Sequence, residues 1–482
     1  MSFNSYRFIL AFLPIFILVY FLAAKKSSRS ARAVLILGGV VFYAFAGISA
    51  ALVLALSLTV NLLLSVLLVR SGRRKALLVT GIALDIGLLF TFKYLNFAIG
   101  TVNALTHASL AESTLLLPLG ISFFTFQQIM YLVSVYRGEI AAVDVGDYLA
   151  YILYFPKLAM GPLMEPGDFL TQLHDDAGRT FRWDRLANGL KIFSLGLFKK
   201  MVLADTFSSS VTWGIENVYT GATSADLLLT MLFYVFELYF DFSGYTDMAV
   251  GISEMLNIRL PINFDSPYKA CSMREIWKRW HVSLTAFLTK YVYIPLGGSR
   301  KGEARTCLNI LLVFLISGLW HGANWTYVLW GFFCGLLQVL ERIFRRGFEK
   351  LPKFLAWIYT FFSANILWLL TRTESVGQWL FMLKRMFSFE NMTITRSLYR
   401  PFIAPENRFL LDLFHLTSRI RYNSAFHMWV YLAAAMIICF FLPNNYRRLE
   451  KTGAYHVILC AVAFVWGFLC LGSESVFLYF NY

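Results

Sequence analysis

Apolar runs of about 20 residues recur from one end of this chain to the other, and no other feature restricts the fold as strongly. One run lies at 8–24 and another at 455–471. A stretch of that length crosses the hydrocarbon core of a bilayer as a helix. Inside lipid every backbone polar group needs a partner in the protein, so only helices and closed barrels can span it. The runs are continuous and do not alternate, which favours helices.

The composition points the same way. Of 482 residues, 58% are hydrophobic and 15% are charged, more apolar surface than one soluble core can hide. We therefore predict an all-α, polytopic membrane protein, with the lipid bilayer as its solvent. A window reading gives about 11 to 13 membrane segments, including re-entrant and interfacial helices, in one domain over 1–482.

The net charge of +15 does not indicate a nucleic-acid partner. Lys and Arg stand mostly in short clusters at the ends of apolar runs, where the positive-inside rule places them. Two clusters are expected to be cytoplasmic, and they consist of Lys25, Lys26, Arg29 and Arg32, and of Arg70, Arg73, Arg74 and Lys75. The first run should be a retained span with the N-terminus outside. The turn between the next two spans is expected at Gly47.

Two stretches do not resemble simple lipid-facing helices. Residues 150–164 are apolar but contain Pro156 and Pro162, which predicts a bent or partly embedded segment. Residues 241–290 are polar yet rich in aromatic side chains, which fits re-entrant or interfacial helices. Within the second stretch, Asp241 and Asp247 are interpreted as carboxylates that buttress neighbouring helices, with a catalytic pair as the alternative.

Common catalytic and metal-binding patterns are absent from the sequence. The six cysteines form no CxxC pair, so neither a disulfide framework nor a metal site is indicated. The patterns HExxH, GxSxG, Walker A and GxGxxG do not occur, which removes the commonest zinc hydrolase, serine hydrolase and nucleotide-binding interpretations. The glycine-rich loop at 295–302 is expected to be a tight turn.

His321 is the strongest candidate for chemistry among seven histidines. The run LLVFLISGLW at 311–320 leads directly into it, and WTYVLWGFF at 325–333 follows. An ionisable side chain at membrane depth is costly and usually faces an internal cavity or pathway. A neutral imidazole there could act as a general base, whereas the alternative is a core histidine that bridges helices. Five other histidines stand in loops or at the ends of apolar runs, where no catalytic role is expected: His107, His174, His415, His427 and His456.

His281 follows a short basic segment, MREIWKRW at 273–280. Arg274 and Lys278 are four residues apart and so lie on one helical face, and Arg279 is adjacent to Lys278. This basic group could hold the phosphates of a cofactor at the cytoplasmic surface. The alternative is positive-inside anchoring with a hydrogen-bonding histidine.

Several motifs resemble the membrane-bound O-acyltransferase family, in its bacterial alginate O-acetylase branch. The most specific are YFDFSGYTDMAVG at 239–251, INFDSPY at 262–268, RWHVSL at 279–284, YIPLGG at 293–298 and LWHGANW at 319–325. PLGISFFTFQ at 118–127 and FPKLAMGP at 155–162 are also similar to that branch. The likeness covers nearly the whole chain, with a signature core at about 115–345.

The resemblance implies acyl transfer from a cytoplasmic thioester donor to a hydroxyl presented from outside. His321 would be the general base and His281 would orient the donor or assist near the cytoplasmic mouth. It implies acetyl-CoA as donor substrate and no bound cofactor. It also implies an exported polysaccharide as acceptor, an extracytoplasmic acetyltransferase as partner, and a multi-pass location in a bacterial inner or plasma membrane. D-alanyl transfer to teichoic acid by way of a carrier protein is the enzymatic alternative.

A transporter or flippase, with His321 as a proton relay, is the alternative from another class. Transporters often show paired halves with broken helices in corresponding positions. No such pairing is visible in this sequence, which favours the enzyme.

Overall fold

The computed structural model describes residues 1–404, 412, 424–448, 453–472, 477 and 478. The longer helices in that part of the chain are α1 (Phe8–Lys26), α2 (Ser28–Ala44), α3 (Ile48–Arg70), α4 (Arg74–Thr106), α5 (Ile121–Arg137), α6 (Val145–Ile152), α7 (Pro166–His174), α8 (Trp183–Phe198), α9 (Asp205–Glu216), α10 (Ser224–Met255), α11 (Met273–Arg279), α12 (Val282–Leu288), α13 (Glu303–His321), α14 (Trp325–Ile343), α15 (Lys353–Leu370), α16 (Val376–Met386), α17 (Phe426–Phe440) and α18 (Ala454–Leu469).

The predicted all-α, polytopic fold is confirmed. The described residues contain no strand, and Phe264 and Trp280 form an isolated antiparallel bridge. Within the same residues, seven helices are long and apolar enough to cross a membrane: α1, α3, α4, α10, α13, α15 and α18 with the turn that follows it. The larger number expected from the sequence also counted shorter and interfacial segments. Several of these are helical here but shorter, such as the 17-residue α2 and α5.

The outer surface of the spans is apolar. Leu18 of α1 is 61% exposed, and Leu56 and Leu63 of α3 are 61% and 59% exposed. Such leucines would be unfavourable in water over so wide an area, whereas hydrocarbon tails solvate them. The bilayer is therefore the solvent for these faces.

The described residues form two compact units. One contains 1–194 and 245–262, and the other contains the described parts of 195–244 and 263–478. The first is called the N-terminal unit and the second the histidine unit.

The N-terminal unit contains the breaks that the sequence predicted. Gly47 separates α2 from α3 with a φ of 101°, which only glycine adopts readily. The segment 150–164 is bent as expected, because α6 ends at Ile152 and one further helical turn spans Phe155–Leu158. Every residue from 150 to 164 is buried, including Lys157, whose ammonium lies 3.7 Å from the Tyr151 ring centroid.

Helix α10 is longer than the sequence indicated. The polar stretch from Asp241 onward was interpreted as re-entrant or interfacial helices, but α10 continues through Asp241 to Met255. In the histidine unit Asp241 is buried and accepts a 2.6 Å ion pair from Lys200, which also lies 2.8 Å from Asp205. Because a buried carboxylate with a cationic partner is tolerated, the helix need not end at Asp241. Asp241 therefore has the buttressing role that was favoured for it.

Helices α13 and α14 approach each other closely through glycines. A Cβ at Gly318 would collide with the Tyr327 carbonyl oxygen, and one at Gly331 would collide with the Phe314 carbonyl oxygen. Small residues at a helix contact let backbones approach, and packing is the main attraction between helices in lipid. This contact fixes the end of α13, where His321 lies.

Candidate active site

His321 is the last residue of α13 and is 6% exposed. Its Nδ1 lies 2.6 Å from the carbonyl oxygen of Ser317, one turn earlier. A carbonyl oxygen can only accept a hydrogen bond, so Nδ1 carries the proton and donates it. In the neutral ring Nε2 is then the basic nitrogen.

His281 lies between α11 and α12, where the backbone adopts an unusual conformation. Its φ is 46° and its ψ is 51°, in the left-handed region that residues other than glycine rarely adopt. Backbone hydrogen bonds hold this turn, with Asp265 N donating to Arg279 O at 2.9 Å and Val282 N donating to Asn263 O at 3.0 Å. The imidazole is therefore aimed by a strained but well-supported backbone.

The two predicted histidines meet in the interior of the histidine unit. Their ring centroids are 6.3 Å apart, and His281 is fully buried. Phe242 contacts His281 with ring centroids 4.7 Å apart, and Trp330 contacts His321 at 4.9 Å. Burial, and secondarily the neighbouring His321, lower the pKa of His281 well below its ordinary value. His281 is thus uncharged at neutral pH, and aromatic rings surround both histidines.

Four of the sequence motifs converge at this place. Phe242 belongs to the motif at 239–251, and Phe264 of the motif at 262–268 contacts Phe242 with ring centroids 5.1 Å apart. The remaining two motifs supply the histidines themselves. The fifth motif, at 293–298, forms a tight turn with positive φ at Gly297 and Gly298, as expected for that loop.

The predicted basic residues differ in their surroundings. Arg274 and Lys278 of α11 have exposed side chains. Arg279 is half-buried and donates to Glu275 at 2.9 Å and to the Asp265 carbonyl oxygen at 3.1 Å. Arg279 thus supports the turn that carries His281, whereas the other two can meet a ligand from outside.

Helix α11 is anchored at its N-terminus. Ser272 accepts a hydrogen bond from Glu275 N at 3.0 Å, and Glu341 of α14 accepts from Met273 N at 2.7 Å. Carboxylates and hydroxyls there satisfy N–H groups that have no partner within the helix. The anchor joins α11 to the helix that follows His321.

The remaining histidines have varied settings. His107 and His174 are exposed, and His174 contacts Asp147 at 2.8 Å. His427 is the second residue of α17 and is buried, and His456 is partly exposed near the start of α18. His415 lies outside the described residues.

Sequence reasoning missed the tryptophans around the histidines. Trp277, Trp330 and Trp368 come from α11, α14 and α15 and pack against one another beside His321. Trp277 lies in the basic segment at 273–280, and its closeness to His281 in the sequence was a usable clue. Trp368 is remote in sequence from both histidines, and no local pattern points to it.

The model of the MBOAT, membrane-bound O-acyltransferase family, matches residues 110–377, and this range includes both histidines. The chain is also similar to the peptidoglycan O-acetyltransferase of Helicobacter pylori, with 33% identity over 100% of this chain and 97% of that protein. The chain belongs to the membrane-bound O-acyltransferase family. A second relative is a probable alginate O-acetylase of Azotobacter vinelandii, with 35% identity over 82% of this chain and 80% of that protein.

Membership of the O-acyltransferase family makes the chain an enzyme, and this decides against the transporter interpretation. The chain also resembles a teichoic acid D-alanyltransferase of Streptococcus thermophilus, with 29% identity over 49% of this chain and 59% of that protein. The likeness to D-alanyltransferases is therefore partial, whereas the likeness to O-acetyltransferases extends over most of the chain.

Proposed function

We propose that this O-acyltransferase moves an acetyl group from acetyl-CoA on the cytoplasmic side to a hydroxyl of an exported polysaccharide. Support comes from relatives whose names describe O-acetylation of peptidoglycan or alginate and which align over most of this chain. The acceptor class is a cell-surface glycan. An extracytoplasmic acetyltransferase would complete the transfer to the polymer, and the membrane is a bacterial inner or plasma membrane.

The observation that carries the mechanism is the hydrogen bond from His321 Nδ1 to Ser317 O. It leaves the Nε2 lone pair as the proton acceptor, which is what a general base for a hydroxyl requires. The helix dipole adds to this, because α13 ends at His321. The partial negative charge at a helix C-terminus stabilises the imidazolium that forms when Nε2 takes the proton.

His281 is proposed to position the thioester next to His321. It is fully buried, it lies 6.3 Å from His321 between ring centroids, and its backbone conformation is strained. Strain of this kind persists where the surrounding structure fixes a side chain for function. A neutral His281 can donate a hydrogen bond to the thioester without adding charge to an apolar site.

Arg274 and Lys278 are proposed to bind the phosphates of acetyl-CoA. Both side chains are exposed and four residues apart on α11, so they face the same direction. Phosphate oxygens bond strongly to guanidinium and ammonium groups. Arg279 acts indirectly, through the turn at His281. No cofactor is retained, since the donor is consumed.

D-alanyl transfer is the second candidate, supported by the partial similarity to teichoic acid D-alanyltransferases. It would use the same two histidines with a carrier-bound thioester as donor. The two reactions differ in the acyl group, in its donor and in the acceptor, so parallel assays with acetyl-CoA and with a D-alanyl carrier distinguish them.

The test is transfer of labelled acetyl from acetyl-CoA to polysaccharide in membranes that contain wild type, His321→Ala or His174→Ala. Loss of a general base should lower the rate of His321→Ala by about 10²–10⁴-fold. His174 is exposed, so its replacement should leave the rate unchanged. Equal membrane abundance and melting temperature would show that His321→Ala is folded. Full transfer by His321→Ala would refute the mechanism, and transfer from a D-alanyl carrier in place of acetyl-CoA would refute the choice of acetyl.

A further inference from the structure

Three tryptophans beside His321 form a compact group, called here the tryptophan triad: Trp277 of α11, Trp330 of α14 and Trp368 of α15. Ring centroids are 5.6 Å apart for Trp277 and Trp330, 5.6 Å for Trp277 and Trp368, and 5.9 Å for Trp330 and Trp368. Each ring therefore contacts the other two. Of the three, Trp330 also contacts His321, at 4.9 Å.

The indole N–H groups of the triad are buried donors. Trp277, Trp330 and Trp368 are 5%, 4% and 1% exposed. None of the three Nε1 atoms has a hydrogen-bond acceptor among the described residues. Other tryptophans of the described chain do have an acceptor for the indole N–H. Trp357 donates to Tyr268 O at 2.9 Å and Trp379 donates to Ile366 O at 3.0 Å. Buried Trp N–H groups usually find an acceptor, and leaving one without costs stability.

A ligand that satisfies the triad must be an acceptor with an apolar body. The triad presents aromatic rings, and its polar groups are N–H donors with no lone pair to share. An acyl carbonyl matches this description, because its oxygen accepts and its methyl group is apolar. A hydroxyl or an amine would also present hydrogens that the triad cannot accept.

We propose that the tryptophan triad binds the acyl group of the thioester and that the Trp330 N–H donates to its carbonyl oxygen. Trp277 and Trp368 enclose the acyl group and offer a second donor. This assignment rests on the proposed function. It makes Trp330 a catalytic residue, because its donor meets the atom on which negative charge develops.

The step balances as a simple acyl exchange. The acceptor hydroxyl oxygen attacks the carbonyl carbon while His321 Nε2 takes the hydroxyl proton. The carbonyl π electrons move to oxygen, where the N–H of Trp330 stabilises the oxyanion. Collapse re-forms the carbonyl and breaks the C–S bond, and the thiolate leaves with the proton returned from His321.

Trp330→Phe tests this proposal, because the change keeps an aromatic ring and removes the donor. The matched control is Trp379→Phe, which removes an indole N–H that already has a protein acceptor. Steady-state transfer from acetyl-CoA by purified enzyme in nanodiscs gives kcat and the donor KM. Loss of one oxyanion donor should lower kcat by about 10²–10³-fold with the KM within about threefold. The control should keep its kcat but melt at a lower temperature.

Two outcomes would overturn the assignment. A kcat of Trp330→Phe within twofold of wild type would exclude an oxyanion role, and an increase in KM alone would reduce the triad to a binding wall. If Trp330→Phe does not fold, replacement of Trp330 by benzothienylalanine, which keeps the ring size and exchanges N–H for sulfur, gives the same comparison. His321→Ala in the same assay separates the triad assignment from the proposed function. An inactive His321→Ala together with an active Trp330 variant would refute the triad assignment and leave the proposed function standing.

Discussion

The chemistry available at His321 depends on a single hydrogen bond to its own helix. With Nδ1 held by Ser317 O at 2.6 Å, the ring cannot rotate to exchange its two nitrogens without losing that bond. In many enzymes a carboxylate fixes the base histidine, whereas here a backbone carbonyl does so without adding a charge. This arrangement suits a site at membrane depth, where an additional carboxylate would be costly to bury.

The exposed basic pair on α11 should govern the affinity for the donor. Arg274→Gln with Lys278→Gln should raise the KM for acetyl-CoA by about tenfold or more, because each lost charge-assisted hydrogen bond contributes roughly 1.5–3 kcal/mol. The kcat should change little, since neither side chain is part of the buried pair of histidines. Lys350→Gln, at another exposed lysine, is the control. An unchanged KM in the double variant would return α11 to an anchoring role.

The buried, neutral state of His281 predicts a pH-dependent stability. Burial lowers its pKa in the folded protein, while the unfolded chain has the ordinary value of about 6.5. Below that pH the unfolded state binds a proton that the folded state does not, so stability falls as the pH falls. The slope from one such group is at most about 1.4 kcal/mol per pH unit.

Thermal melting in detergent at pH 7.5 and pH 5.5 measures this effect. The decrease in Tm should be smaller in His281→Asn than in wild type, because asparagine does not titrate and tolerates the left-handed conformation. His174→Asn, at an exposed histidine, should keep the wild-type difference. Identical decreases in Tm in all three proteins would show that folding does not lower the pKa of His281.

At the scale of elements, the site depends on how closely α13 and α14 pack. The chain reverses over residues 322–324, between the end of α13 and the start of α14 at Trp325. A Cβ added to Gly318 would lie 3.1 Å from the Cα of Gly331, and a Cβ added to Gly331 would lie 3.1 Å from the Cα of Gly318. That separation brings Trp330 against His321, so two glycines with no chemical function of their own determine the geometry of the base.

Gly331→Ala should therefore weaken both the fold and the activity. Its Cβ would collide with the Phe314 carbonyl oxygen, which belongs to the backbone and cannot move aside easily. Overpacking of this kind costs about 1–3 kcal/mol. The variant should melt at a lower temperature and transfer acetyl more slowly. Gly347→Ala is the control, because nothing lies within 4 Å of the position of its Cβ, and an unchanged Tm for Gly331→Ala would contradict the close contact.

At the scale of the whole molecule, the long apolar helices and the clusters of positive charge define a topology. Arg70, Arg73, Arg74 and Lys75 lie at the junction of α3 and α4 and are expected in the cytoplasm. Helix α4 contains 33 residues, enough to cross the bilayer once, so the loop after Thr106 should be outside.

Cysteine labelling can measure this topology. Gly72→Cys, at a position where a Cβ meets nothing within 4 Å, should react with a membrane-impermeant maleimide only after the cells are opened. Ala111→Cys, which is exposed in the loop after α4, should react in intact cells. Both are compared with the unmutated chain, because it contains six native cysteines. Reaction of both positions from the same side would contradict a single crossing by α4.

The helical membrane fold follows from the amino-acid sequence alone. Runs such as 311–320 are apolar and too long for ordinary loops, and in lipid the backbone must satisfy its hydrogen bonds within the same segment. The sequence also singled out His321, because an ionisable residue is conspicuous in such a run. Its motifs indicated the family, which the comparisons confirmed. It assigned Asp241 to a separate polar stretch, whereas α10 continues through that residue, because the pairing of Asp241 with Lys200 is not a local property.

The packing of the helices, in contrast, determines how the parts of the site meet. It brought His281 to 6.3 Å from His321, gave the proton of His321 to Nδ1, and added Trp368 from a helix that no motif includes. Periodicity and hydropathy report the surroundings only along one element. Contacts between α11, α13, α14 and α15 depend on the shapes of their facing side chains, which become neighbours only after the helices pack.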